Sequence, residues 1–164
     1  MIGTLSYSSF KKINIQEVHN IIDQKLYYPY KYYHFMDSNI NIPNGNTNKH
    51  PHFLTIWNRI LHKLNLKTTT ENNCNYWMCS THMMLKFITW YNKIAHPTLI
   101  NEDLIFEDSK YNGDYNETLN KERLIKLWNK PYYSYYPFIA ERLNKCFFET
   151  FYSTEVIKVI NINT

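Results

Sequence analysis

Two short stretches concentrate the residue types that could do chemistry. Glu141 and Arg142, an acid beside a base, lie inside PYYSYYPFIAERLNKCFF (131–148), and Asn75-Tyr76-Trp77 lies inside CNYWMC (74–79). An amide next to an aromatic plate offers directional hydrogen bonds around an apolar floor, which suits a sugar or a nucleobase. Both stretches also have a plainer account. A Glu in the first turn of a helix is favoured by the dipole, and a Trp beside a capping polar residue is ordinary core. Consecutive helix positions point about 100° apart, so one member of the Glu-Arg pair can face a cleft while the other pairs locally.

Other constellations carry less. His50-Pro51-His52 is an H-x-H with His34 upstream, but it sits at a helix start beside a proline, without a third ligand at a fixed spacing. Glu102, Asp103, Glu107, Asp108 and Asp114 crowd one region, yet the chain has no Asp-x-Asp to hold Mg²⁺ against phosphate oxygens, and a solvated acidic loop is the simpler account. Cys79 and His82 are neighbours at a strand-to-helix junction, a weak nucleophile signal. There is no G-x-S-x-G, and three scattered glycines cannot build a phosphate loop.

These residues need elements to position them. Ile2–Tyr7, Tyr30–Met36 and CNYWMC read as short strands. Val18, Ile21 and Ile22 fall on one helical face. Pro51 opens a helix with Phe53, Ile56, Trp57, Ile60, Leu61 and Leu64 on one side. Ser80 caps a helix whose expected buried face is Met84, Phe87, Ile88, Tyr91, Ile94 and Ala95, and Pro97 is expected to end it. A short helix over ETLNKERLIKLW follows. Pro137 then starts a helix with Ile139, Leu143, Cys146, Phe147, Thr150 and Phe151 on its face, and EVIKVINI closes as a strand or tail. Strands alternating with helices predict an α/β layer fold, one domain over 1–152 with a C-terminal strand or tail at 153–164.

Composition agrees with one globular unit. The 164 residues are 44% hydrophobic and 20% charged, near the average for folded domains. A formal charge of +4 from scattered basic residues lacks the clustered stripe of a dedicated nucleic-acid binder, so no nucleic-acid partner is expected. Cys74, Cys79 and Cys146 cannot all pair and read as reduced thiols, which favours an intracellular, cytoplasmic setting. No apolar run reaches the ~18 residues of a membrane span, and MIGTLSYSSFKK lacks the pattern of a signal peptide. Abundant Asn, Ile, Lys and Tyr suggest an AT-rich genome, such as that of a protist or its virus.

At the same residues a resemblance emerges. GTLSYSSFKKI, HPHFLTIWNRIL, CNYWMCSTHMMLKFI, DSKYNG and KPYYSYYPFIAERLNKCFF, in that order, resemble a glycosyltransferase-like family of giant viruses, algae and bacteria, over about residues 2 to 148. The layout is also similar to capsular and lipopolysaccharide glycosyltransferases, in which an aromatic-Leu/Ile-x-Glu-Arg-Leu motif closes the catalytic domain. The resemblance implies a nucleotide-diphospho-sugar transferase (type A) like sheet flanked by helices. It also implies transfer of a sugar from a nucleotide-sugar to a glycan or protein acceptor, in an infected host cell if the origin is viral. The alternative is a non-catalytic carbohydrate-binding or scaffold remnant.

Carried over, the resemblance points to Glu141 and Arg142 as catalytic residues and to Tyr7, Asn75, Tyr76, Trp77, Asp108, Tyr111 and Gly113 as substrate-binding residues. Glu141 would serve the acceptor hydroxyl as base or orienting group. Arg142 or a Mn or Mg cation would offset the leaving diphosphate. Relatives carry further sequence before GTLSY, so the resemblance implies a truncated, split or divergent reduced form, and in the split form a partner chain supplying that half of the sheet. The geometry that matters most is whether Asn75 and Glu141 converge on one cleft.

Overall fold

The computed structural model describes residues 2–4, 16, 19–20, 32–36, 50–67, 77–112, 116–152 and 157–161. Four strands are present: β1 (Ile2–Thr4), β2 (Tyr32–Met36), β3 (Trp77–Cys79) and β4 (Ile157–Asn161). The helices are α1 (Phe53–Lys63), α2 (Thr81–Trp90), α3 (His96–Ile100), α4 (Glu117–Trp128), α5 (Tyr136–Ala140) and α6 (Leu143–Phe151), with a π-helical turn at Tyr91–Ala95 joining α2 to α3.

This architecture overturns the expected α/β fold: the described residues are mostly helical and do not form the sheet-centred layers of a nucleotide-diphospho-sugar transferase. The β structure is three to five residues per strand, in the order β1-β3-β2-β4. β3 runs antiparallel to both of its neighbours, and only β2 and β4 are parallel. A doubly wound fold needs successive parallel strands joined by single crossover helices. Here α1 to α6 lie in sequence between β2 and β4, with β3 inserted after α1. The strand positions were legible in the sequence, but strand direction was not, and taking alternation for crossovers produced the wrong layer plan.

The helices make the core with one another. The face read on α1 is observed: Phe53, Ile56, Ile60, Leu61 and the following Leu64 are buried. Pro51 precedes the helix rather than opening it, and His52 is the cap residue. α6 is the central piece, with Leu143, Cys146, Phe147 and Phe148 buried. Its aromatics contact two elements, α2 and β3: Phe147 lies 4.7 Å from Trp90 and 5.5 Å from Phe87 between ring centroids, and Phe148 lies 6.0 Å from Trp77. Each such fully buried side chain contributes about 1.5–3 kcal/mol of transfer free energy.

Ser80 caps α2 as expected, its hydroxyl accepting from the Met83 N–H. Pro97 does not end the helix. The chain passes through the π turn and continues as α3 with Pro97 in its first turn, where a missing N–H removes no hydrogen bond. The shift of phase also changes the buried face. Met83, Met84, Trp90, Ala95 and Leu99 are inside, while Ile88 and Ile94 are exposed.

One polar anchor sits in the core. Glu102, expected in a solvated acidic loop, is 3% exposed. Its two carboxylate oxygens take Arg59 Nη1 at 3.1 Å and Lys63 Nζ at 2.8 Å, two residues one turn apart on α1. Burial alone would push the Glu102 carboxyl up, but the hydrogen bonds and charges of Lys63 and Arg59 outweigh it and hold the group below its ordinary range. Cys79 and Cys146 are buried thiols, and burial pushes the Cys79 thiol up to about 12. With His82 exposed on α2, this is the reverse of an activated Cys-His pair.

Candidate functional site

The expected single helix from Pro137 is two helices. α5 stops at Ala140 and α6 starts at Leu143, with Glu141 and Arg142 forming the corner. The Asn144 side-chain amide donates to the Glu141 carbonyl at 2.7 Å, satisfying a group the helix break leaves open. The two charged side chains leave the corner in different directions and meet at their tips, Arg142 Nη1 lying 2.7 Å from Glu141 Oε1.

Glu141 lines a cavity of about 510 Å³ together with Trp77, Met84, Phe87, Tyr91 and Asn144, among others. Arg142 turns the other way. Its guanidinium lies 4.8 Å from the Phe53 ring centroid, donates to the Phe138 carbonyl, and meets Glu141 Oε1 at 2.7 Å. The Arg142 side chain is 12% exposed and that of Glu141 30%. Arg142 is therefore the brace and Glu141 the group presented to the cavity. A guanidinium over an aromatic face is itself a favourable cation–π arrangement, which explains its place.

The cavity wall is tied to a neighbouring hydroxyl cluster. Tyr136 Oη lies 2.9 Å from Tyr91 Oη and 2.7 Å from His96 Nδ1. Burial, followed by the hydrogen bond to Tyr136, raises the Tyr91 hydroxyl far above the usual phenol range, so it remains a protonated hydrogen-bonding group.

The remaining sequence-derived residues divide into two sets. Tyr7, Asn75, Tyr76 and Gly113 lie outside the described residues, so the Asn75–Glu141 distance does not enter the geometry. Trp77, next in line on β3, does share the Glu141 cavity. Asp108 and Tyr111 belong to another neighbourhood. Asp108 pairs with Ser134 through a backbone bridge and lies 3.6 Å from Lys130 Nζ. Tyr111 packs 5.3 Å from the His50 ring and 5.5 Å from the Phe138 ring.

The residues the sequence reading missed are Tyr91 and Asn144. Asn144 had a usable signal: it stands three residues after Glu141, which places the two on one side of a helical path. Tyr91 was read as core, since its apolar spacing hides a hydroxyl.

Among the described residues the donor set does not fit a Mn or Mg cation. Among the described residues no three His, Cys, Asp or Glu side chains converge as metal ligands. Glu102 is consumed by two cations and Asp108 faces Lys130. No described helix is long and apolar enough to cross a membrane. No family model, curated protein or solved structure matches the chain.

Proposed function

We propose that this protein binds carbohydrate in the cavity between Trp77 and Glu141, and that the bound sugar is the acceptor in a glycosyl transfer. The observation that carries the reading is the joint lining of one cavity by Trp77, Tyr91, Glu141 and Asn144. A pyranose has an apolar C–H face and a rim of hydroxyls. Aromatic walls with a carboxylate and an amide at one end complement both.

In this reading Glu141 accepts a hydrogen bond from an acceptor hydroxyl and takes its proton as that oxygen bonds to the anomeric carbon of the nucleotide-sugar and the bond from that carbon to the departing nucleoside diphosphate breaks. Arg142 does not meet the sugar. It orients the carboxylate from behind through the 2.7 Å contact, and is a positioning residue. The transfer step draws its support from the five ordered sequence blocks, and the nucleotide-sugar donor comes with it.

The second reading is a carbohydrate-binding module without catalysis. The Glu141–Arg142 ion pair favours it, because a carboxylate engaged by a guanidinium is a better acceptor of hydrogen bonds than of protons. Both readings expect glycan binding that Glu141→Gln weakens about tenfold, the loss of one charge-assisted hydrogen bond. Turnover of UDP-, GDP- or dTDP-sugars, with and without Mn²⁺, separates them. Binding with turnover supports the transferase, and binding alone supports the module. An intact fold that retains no glycan removes both.

A further inference from the structure

Across the Tyr136–Pro137 corner lies a second cavity of about 510 Å³, lined by Phe106, Trp128, Lys130, Tyr133, Tyr136 and Pro137 among others. Its rim exposes aromatic surface of a kind soluble domains seldom leave open: Trp128 is 72% exposed, Phe106 52% and Tyr133 41%. Phe106 and Tyr136 present parallel rings, 4° apart in plane at 5.9 Å. Lys130, the cation in the lining, is committed within the fold. Its amine donates to the Phe106 carbonyl at 3.1 Å and lies 3.6 Å from Asp108. The cavity therefore offers flat aromatic faces and phenolic hydroxyls with its charge already balanced, which suits a neutral, hydroxyl-rich ligand better than a phosphate or a carboxylate.

The two cavities meet at one structural element. Pro137 lines both, and Tyr136 of the second is hydrogen-bonded to Tyr91 of the first. We propose that the second cavity is a further sugar subsite, so that the ligand is an oligosaccharide whose linked units cross the Tyr136–Pro137 corner, and not a free monosaccharide. The inference rests on the carbohydrate reading of the Trp77–Glu141 cavity and adds the class and minimum length of its ligand. Linking two modest subsites raises affinity because the second contact is made without a second loss of translational freedom.

The test is a glycan array followed by calorimetry on the retained sugar, as its monomer and as its neutral oligomers up to six units. Affinity is expected to rise about tenfold or more from monomer to tetramer, in line with an added aromatic contact of about 1.4 kcal/mol. Trp128→Ala should remove that rise and leave monomer affinity unchanged, with thermal stability held because the indole is largely exposed. Equal affinity for monomer and oligomer, or oligomer binding indifferent to Trp128→Ala while Glu141→Gln still weakens it, overturns the second subsite and spares the first. Failure of every glycan overturns both. Trp128-dependent binding of a proline-rich peptide in place of any glycan assigns the groove to polyproline recognition and also overturns the proposal.

Discussion

Glu102 and Glu141 are both carboxylates next to cations, and they have opposite roles. Glu102 is sealed among helices and divided between Arg59 and Lys63, whose own side chains are half-exposed. Glu141 has the reverse arrangement: its side chain is 30% exposed, and its cation, Arg142, is the more buried partner. In the first pair the acid is the anchor and the bases reach in from solvent. In the second the base is the anchor and the acid reaches out. A buried guanidinium that braces an accessible carboxylate is how a fold fixes the direction of a polar group facing a cavity, whereas a buried carboxylate stapling an arginine and a lysine of one helix fixes that helix.

The contrast predicts a sequence of effects. Glu102→Ala should cost the most, about 2 kcal/mol in urea unfolding, since it leaves both cations beside apolar surface without their partner. A loss under about 0.5 kcal/mol would mean that Arg59 and Lys63 simply return to water. Next is the acid limb. Glu102 has a folded-state pKa below its ordinary 4.5, so its contribution is fully present above that pH and is lost as pH falls through the folded value. The wild type should therefore lose stability below about pH 4.5 more steeply than Glu102→Gln, as followed by circular dichroism. Arg142→Lys should cost about 1 kcal/mol, because an ammonium cannot lie flat on Phe53 while also meeting Glu141 and the Phe138 carbonyl. Smallest is Glu141→Gln, within about 0.5 kcal/mol in stability. Its signature belongs in glycan affinity, and a large stability loss without a binding change would erase the distinction between the two acids.

Much of the helical half was readable in advance. The spacing of Phe53, Ile56, Ile60 and Leu61 named the buried side of α1, and Ser80 announced the start of α2. Periodicity works where one regular helix meets one core. It failed where regularity breaks. In FIAERLNK only Asn144, which bonds the Glu141 carbonyl, is a local mark of the corner at Glu141–Arg142; the guanidinium on Phe53 that also fixes it is a long-range contact of the folded state. The burial of Glu102 was equally hidden, because the residues that make it tolerable lie about forty positions away. Pairing direction in the strands is a further long-range property, and the layer plan failed there.

The π turn at Tyr91–Ala95 has a consequence in angle. In a regular α-helix, residues five apart end up about 140° from one another, on nearly opposite sides. Tyr91 and His96 are five apart, yet both reach the Tyr136 hydroxyl and their rings lie 27° from parallel. The wider π turn closes that angle. Removing one residue between Tyr91 and His96 would leave the two four apart in a regular α-helix, about 40° from one another and still on one face. The π turn thus lets a spacing of five residues do what a spacing of four does in a regular helix.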